Sequence, residues 1–307
     1  MNDRRDFLRS AASLLAGGTL LSNRSLASFL THRSYPPPGL QLFTLFNVID
    51  DDVRGSLKKV AAIGYKEIES AFSKKGEYYG MSAKEFSTVL GDLGLSWKSH
   101  HVLGGPIKIP PDQMPKGPDG KPIVIPPMQQ LRDNMQEIVD KAAASGVPYL
   151  VCATTPIDSM DEIKKSIATL NKTGEACKKA GITFCYHNHD AEFTAVEGEI
   201  PYHLFLSQLS PDIKMELDLC WATKAGVDIV GLFKKHPGRF PLWHVKDLDK
   251  NKQGPAPVGS GVVDFATIFS NAETAGLKHF FVEHDMPQDP YASITESYNY
   301  ITSTLKV

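Results

Sequence analysis

No C-x-x-C pair occurs among the four cysteines of this chain, Cys152, Cys177, Cys185 and Cys220. Compact zinc sites and dithiol redox motifs use that spacing, so neither is indicated. The cysteines read instead as small buried hydrophobes, and nothing demands disulfides. No apolar run reaches the roughly 18 residues that a membrane-crossing helix needs. An excess of one charge is also lacking: 33 Lys and Arg stand against 35 Asp and Glu, a formal net charge of -2. Such a chain has no general attraction for phosphate backbones, which argues against nucleic acid as a partner. A Gly-rich phosphate fingerprint is missing after the first expected strand, where Phe46-Asn47-Val48-Ile49-Asp50 stands. That counts against an open dinucleotide-binding sheet.

What is present begins with Arg4-Arg5-Asp6-Phe7-Leu8-Arg9, an apolar stretch over 11–21, and Ser25-Leu26-Ala27. An arginine pair, an apolar region and a small-residue cleavage site together fit a twin-arginine export leader. The expected organisation is therefore a signal peptide over 1–30, a Pro-rich link over 31–38 and one domain over 39–307. The partner implied for the leader is the twin-arginine export machinery, and the location is periplasmic or otherwise extracytoplasmic.

From residue 39 onward short apolar strands alternate with amphipathic helices. Strands are expected over 40–46, 65–70, 95–102, 149–153, 181–187, 214–218, 240–245 and 280–283. Helices fall between them: one starts at Asp51 or Asp52 and ends at Gly64, another opens on Ser82-Ala83-Lys84-Glu85, and others cover 128–145, 160–180, 202–209, 229–235, 264–275 and 293–305. Eight strands, each followed by a helix with a right-handed crossover, imply a (β/α)8 barrel. The rhythm breaks over about 104–128, a Pro- and Gly-rich insertion read as a rim or lid segment.

The barrel fold turns strand ends into candidate chemistry, because such sites sit at the C-terminal mouth. Tyr186-His187-Asn188-His189-Asp190 closes the fifth strand, and alternation places His187 and His189 on one face. Other strand ends offer Glu69, His100, His101, Asp218 with Trp221 beyond it, His244, Lys246, Asp247 and Glu283. A mixed nitrogen and carboxylate set of His187, Asp218, His244 and Glu283 suits one divalent ion such as Mn, Fe, Co, Ni or Zn. Such an ion polarises a carbonyl, and a nearby carboxylate or imidazole moves a proton. Glu69, His100, Trp221, Lys246 and Asp247 are then the candidate substrate contacts.

Six segments in order, Gly39-Leu40-Gln41-Leu42-Phe43-Thr44, Gly64-Tyr65-Lys66-Glu67-Ile68-Glu69, Tyr186-His187-Asn188-His189-Asp190, Leu217-Asp218-Leu219-Cys220-Trp221, His244-Val245-Lys246-Asp247 and Phe281-Val282-Glu283, resemble the xylose-isomerase-like barrel family. The resemblance covers about 39–305 and implies a sugar isomerase or epimerase that works through an enediolate. Epimerases of that family hold the metal with Glu, Asp, His and Glu, and their two glutamates exchange the substrate proton. Asp218, His244 and Glu283 match the last three, but His187 stands where the first glutamate belongs. The substitution removes one of the paired proton carriers. The Tyr-His-Asn-His variant with a twin-arginine leader resembles exported members that act on oxidised sugars, which implies a second expectation, a lyase or hydratase on a 3-keto-glycoside; a single base suffices there, Glu283 ligates, and His189 or His101 is the base. A third is a non-catalytic carbohydrate-binding protein stacking sugar on Trp221, Tyr186 or Phe46. An abasic-site endonuclease shares the fold but needs a basic track.

Overall fold

The computed structural model describes residues 35–106 and 128–307. The expected leader, the first part of the link and most of the expected insertion lie outside those residues.

Eight strands close into one parallel barrel in chain order. They are β1 (Gly39–Gln41), β2 (Glu67–Ser70), β3 (Ser96–Leu103), β4 (Tyr149–Thr154), β5 (Thr183–His187), β6 (Lys214–Asp218), β7 (Leu242–Val245) and β8 (His279–Val282). The seam pairs Gly39 with Phe281 and Leu40 with Val282. The helices are α1 (Val53–Ile63), α2 (Ala83–Asp92), α3 (Leu131–Ser145), α4 (Met160–Lys179), α5 (Pro201–Gln208), α6 (Leu219–Lys224), α7 (Ile229–Lys235), α8 (Phe265–Ser270), α9 (Ala272–Ala275) and α10 (Pro290–Asn299). Among the described residues no helix is long and apolar enough to cross a membrane.

Local chemistry sets the boundaries. The long helix α4 starts where the Ser159 side chain accepts from the Glu162 backbone N–H, with Asp161 and Glu162 in the first turn and Lys178 and Lys179 in the last. Those charges complement the helix dipole at both ends. Its inner stripe, Ile163, Ile167, Leu170 and Cys177, is buried at helical spacing against the barrel.

Several expected boundaries move. The first strand stops at Gln41, because the Gln41 side chain accepts from Phe43 N at 3.0 Å and caps a short 3-10 turn over Leu42–Leu45. β5 begins at Thr183, since Gly181 turns the chain with φ 76°. The helix expected over 264–275 breaks at Asn271, whose amide donates to Thr267 O and Ser270 Oγ and so competes with the helix backbone. The last helix begins three residues earlier than expected, on Asp289 as cap and Pro290 as first residue. The turn-rich segment expected near Pro255 contains a two-residue antiparallel ladder, Asp247–Leu248 with Pro255–Ala256. All four cysteines are buried free thiols.

Period-two alternation then builds the site in layers. Val151, Cys185, Leu242 and Phe281 form one buried apolar cluster inside the barrel. Two residues after the last three come His187, His244 and Glu283. An apolar plug therefore sits beneath a polar layer, and the polar side chains stand on rigid strands rather than on loops.

Candidate metal centre

The upper polar layer holds the four side chains read from the sequence as metal ligands. His244 Nδ1 lies 2.9 Å from Glu283 Oε2 and 3.9 Å from Asp218 Oδ2. His187 Nε2 lies 3.9 Å from the same Asp218 oxygen. Asp218, His244 and Glu283 offer ligand atoms that all fall within 4.8 Å of one another. Metal bonds of about 2.0–2.2 Å produce ligand spacings of this order. Asp218 divides its labour: Oδ1 accepts from Trp221 N at 2.9 Å and caps α6, leaving Oδ2 for the site.

The donor set passes a test of fit on unsatisfied atoms. Asp218 Oδ2 and His244 Nδ1 are buried without a hydrogen bond. Orphaned polar atoms inside a protein are costly and call for a partner. A cation does stand nearby: Lys246 Nζ is 2.6 Å from Glu283 Oε2, 3.0 Å from Asp218 Oδ2 and 3.0 Å from Asp285 Oδ2. The Asp218 contact lies in ion-pair range without hydrogen-bond alignment, so the lysine neutralises the carboxylates without satisfying all of them. Burial alone would lower the Lys246 pKa, but Asp218, Asp285 and Glu283 hold it well above its ordinary value. Burial works to raise Glu283, and Lys246 and His244 override it, leaving Glu283 far below the usual carboxylate range.

A second layer lies below. His101 Nε2 meets Glu216 Oε2 at 2.7 Å and Glu69 Oε1 at 3.3 Å, while His244 Nε2 meets Glu69 Oε1 at 2.5 Å. Gln41 Nε2 donates to the same Glu69 oxygen at 2.7 Å. Burial would lower His101, but the carboxylates of Glu69 and Glu216 raise it to about 9. Burial together with Glu69 pushes Glu216 up to about 7. Glu216 was not picked out from the sequence, although it precedes Asp218 by two and so shares its face. Asp285, two past Glu283 in the loop after β8, was missed as well.

The remaining candidates have different positions. His189 is half-buried at the mouth, its ring 5.0 Å from that of His187 and 6.2 Å from that of Trp221. The Trp221 ring stands 5.3 Å from Lys246 Nζ. His189 and Trp221 are partly exposed, whereas Lys246 is fully buried. His100 is turned away, its Nδ1 2.8 Å from Ser70 Oγ, and burial lowers its pKa to about 4. It helps wall a cavity of about 350 Å³ with Phe72, Tyr78, His101 and Met128. Glu69 is fully buried under His244, not at the mouth.

Asp247 holds the loop rather than the mouth. Its Oδ1 accepts from Leu248 N and Val263 N at 2.8 and 3.0 Å, and its Oδ2 from Gly259 N and Gly261 N, both at 2.9 Å. A Cβ on Gly261 would collide with the Leu248 carbonyl and the Asp247 carboxylate, so this loop requires glycine there. Asp247→Ala is expected to lower stability by about 3 kcal/mol, since hydrogen bonds to a charged group contribute about 1.5–3 kcal/mol each and overlap when shared. Urea unfolding of the variant gives the value; a loss under 1 kcal/mol would show that the loop does not lean on this carboxylate.

A parallel eight-stranded barrel with a buried histidine–carboxylate set at the carboxyl ends of its strands places that set where barrel enzymes carry their active sites. Residues 57–303 match the family described as xylose isomerase-like TIM barrel, and the chain belongs to that family. A sugar phosphate isomerase/epimerase from Parabacteroides distasonis is 26% identical, with a TM-score of 0.70 over 90% of this chain and 96% of that one. A structure of L-ribulose 3-epimerase is 15% identical, with a TM-score of 0.63 over 88% and 94% of the two chains. The IOLI protein, described with a binding zinc atom, is 15% identical, with a TM-score of 0.65 over 88% and 98%. At 15% these last two show the shared fold alone. None of the curated proteins compared with the chain matches it. Family and neighbours are sugar isomerase- and epimerase-like enzymes, and the buried cluster could hold a metal ion.

Proposed function

We propose that the chain is a divalent-metal-dependent enzyme that removes the proton next to a sugar carbonyl, as isomerases and epimerases do. The observation that carries this is the buried Asp218–His244–Glu283 set with His187 beside it and two of its ligand atoms lacking hydrogen bonds. His187, Asp218, His244 and Glu283 are the residues assigned to the ion, which when bound would polarise the carbonyl and stabilise the enediolate charge.

The protein's own groups then divide the remaining work. His189, half-exposed at the mouth beside His187, is assigned as the base. His101 suits that role less, being buried between Glu69 and Glu216 and held protonated, with no free lone pair at neutral pH. Trp221, partly exposed, is assigned to cover a sugar ring, and the buried Lys246 ammonium, 5.3 Å from that indole, is assigned to a sugar oxygen. In isomerisation or epimerisation the proton returns to carbon.

A specific observation favours a second outcome. With His187 where the related epimerases carry a glutamate, Glu283 has no glutamate partner at the fifth strand end. One base suffices for elimination: the α-proton leaves to His189, the bond from C1 to its oxygen substituent breaks, and the departing alkoxide takes up a proton. That outcome defines a keto-glycoside lyase. Export through the arginine pair at Arg4-Arg5 would favour unphosphorylated sugars, since sugar phosphates are mainly cytoplasmic.

Metal-loaded protein in D2O with a 3-keto-glycoside should give deuterium at the carbon next to the ketone, followed by NMR. Exchange at that carbon with an intact glycoside supports the isomerase class; loss of that hydrogen with release of the aglycone supports the lyase. Neither exchange nor aglycone release with any keto-sugar, by protein that holds its metal, would overturn the enolisation chemistry.

A further inference from the structure

Each histidine assigned to the ion has two ring nitrogens, and the structure gives the two nitrogens to different layers. His187 directs Nε2 toward Asp218 at 3.9 Å and Nδ1 toward Glu216 Oε2 at 3.3 Å, a contact in ion-pair range that is not aligned as a hydrogen bond. His244 is reversed: Nδ1 faces Glu283 at 2.9 Å, and Nε2 faces Glu69 Oε1 at 2.5 Å and Glu216 Oε2 at 3.3 Å. A neutral imidazole carries one N–H, and the tautomer is set by what that N–H donates to. An ionised carboxylate can only accept. A carboxylate behind a ligating histidine also orients the ring and raises its basicity.

We infer that Glu69 and Glu216 are positioning residues, holding His244 as the Nε2–H and His187 as the Nδ1–H tautomer so that the opposite nitrogens face one ion. The inference rests on the metal centre proposed above. His101 completes the layer as the cation under both carboxylates, and Gln41 pins Glu69 from β1. Both carboxylates are fully buried, so neither meets bulk water nor a substrate at the mouth directly.

A competing use of the same side chains is a second ion, because His101, His187, Glu216 and His244 present ligand atoms within 4.8 Å of one another. Glu69 Oε2 and Glu216 Oε1 lack partners, which speaks for it. The contacts of the lower layer speak more strongly against it. His101 to Glu216, His244 to Glu69 and Gln41 to Glu69 are aligned hydrogen bonds at 2.7, 2.5 and 2.7 Å. Two of these bonds already consume the His101 and His244 nitrogens that a second cation would have to strip of hydrogen, and the third ties Glu69 to Gln41.

The test titrates chelator-stripped full-length protein with Co2+ and reads stoichiometry, affinity and the visible spectrum. Wild type, Glu69→Gln and Glu216→Gln are expected to bind one equivalent each. Each Gln variant should bind about 10–100-fold more weakly, with an altered Co2+ spectrum. Glu216→Asp, which keeps the charge, should recover part of the loss. Imidazole 15N shifts of the Zn2+-loaded wild type should report Nδ1–H for His187 and Nε2–H for His244, a readout that needs no variant to fold. Two equivalents in wild type falling to one in Glu216→Gln would replace positioning by a second ion site. Unchanged affinity in both Gln variants, or the same tautomer in both histidines, would overturn the inference. Wild type that binds no Co2+ at all would sink the metal centre itself, a separate result.

Discussion

Asp218→Asn should empty the metal centre while the barrel stays folded. The substitution keeps an oxygen for the Trp221 backbone N–H, so the cap of α6 survives. It removes the charge from Oδ2, the atom that lies 3.9 Å from both His187 Nε2 and His244 Nδ1. Loss of a direct ligand should weaken the ion by more than the ~10–100-fold that loss of a supporting partner costs. His244→Ala should act likewise on the metal but cost stability as well. Glu69 and Glu283 would each lose a partner in the interior, a change of about 3–5 kcal/mol. Elemental analysis after dialysis, with circular dichroism beside it, separates the two effects. Full occupancy in both folded variants would show that neither residue ligates.

Much of this could be read from the amino acids, for a physical reason. A parallel barrel repeats one unit, and each strand–helix alternation carries its own periodicity, caps and glycine stops. The helix caps at Asp52, Ser82 and Asp264 all accept from the backbone three residues on. Strand alternation marked His187, Asp218, His244 and Glu283 as one set. The same rule was available for Glu216, two before Asp218, and for Asp247, which alternation places on the face opposite His244 and Lys246. Neither can be told from the end of a strand alone. Glu69 pairs with His244 across 175 positions, and such a contact depends on how the sheet closes rather than on any local pattern. The three-way seat of Lys246 has the same origin, since Asp218, Glu283 and Asp285 come from two different strand ends. Boundaries failed where one side chain outvoted the pattern, as Gln41 does at the end of β1 and Asn271 between α8 and α9.

Lys246→Met should bind the divalent ion more tightly than wild type, although its activity falls. Lys246 Nζ lies between Glu283 Oε2 and Asp218 Oδ2, at 2.6 and 3.0 Å. A metal entering there must displace the ammonium toward Asp285, whose Oδ1 and Oδ2 lie 3.2 and 3.0 Å from the same nitrogen. Wild type therefore breaks the two buried lysine ion pairs to admit the ion, and the variant has neither to break. The apo variant carries the cost instead. Asp218 loses its ammonium in the interior and Glu283 keeps only His244, a loss of about 3–5 kcal/mol, and a domain of this size should melt about 2–4 °C lower per kcal/mol. Saturating metal restores the missing positive charge, and a ligand that binds only the folded state stabilises it further as its affinity rises. The melting temperature of Lys246→Met should thus climb further on adding Mn2+ or Zn2+ than that of wild type. Differential scanning fluorimetry with and without metal reads both terms. A smaller metal-induced rise in the variant would mean that lysine and ion do not compete for one seat, and that Lys246 supports the bound cation from outside its coordination sphere.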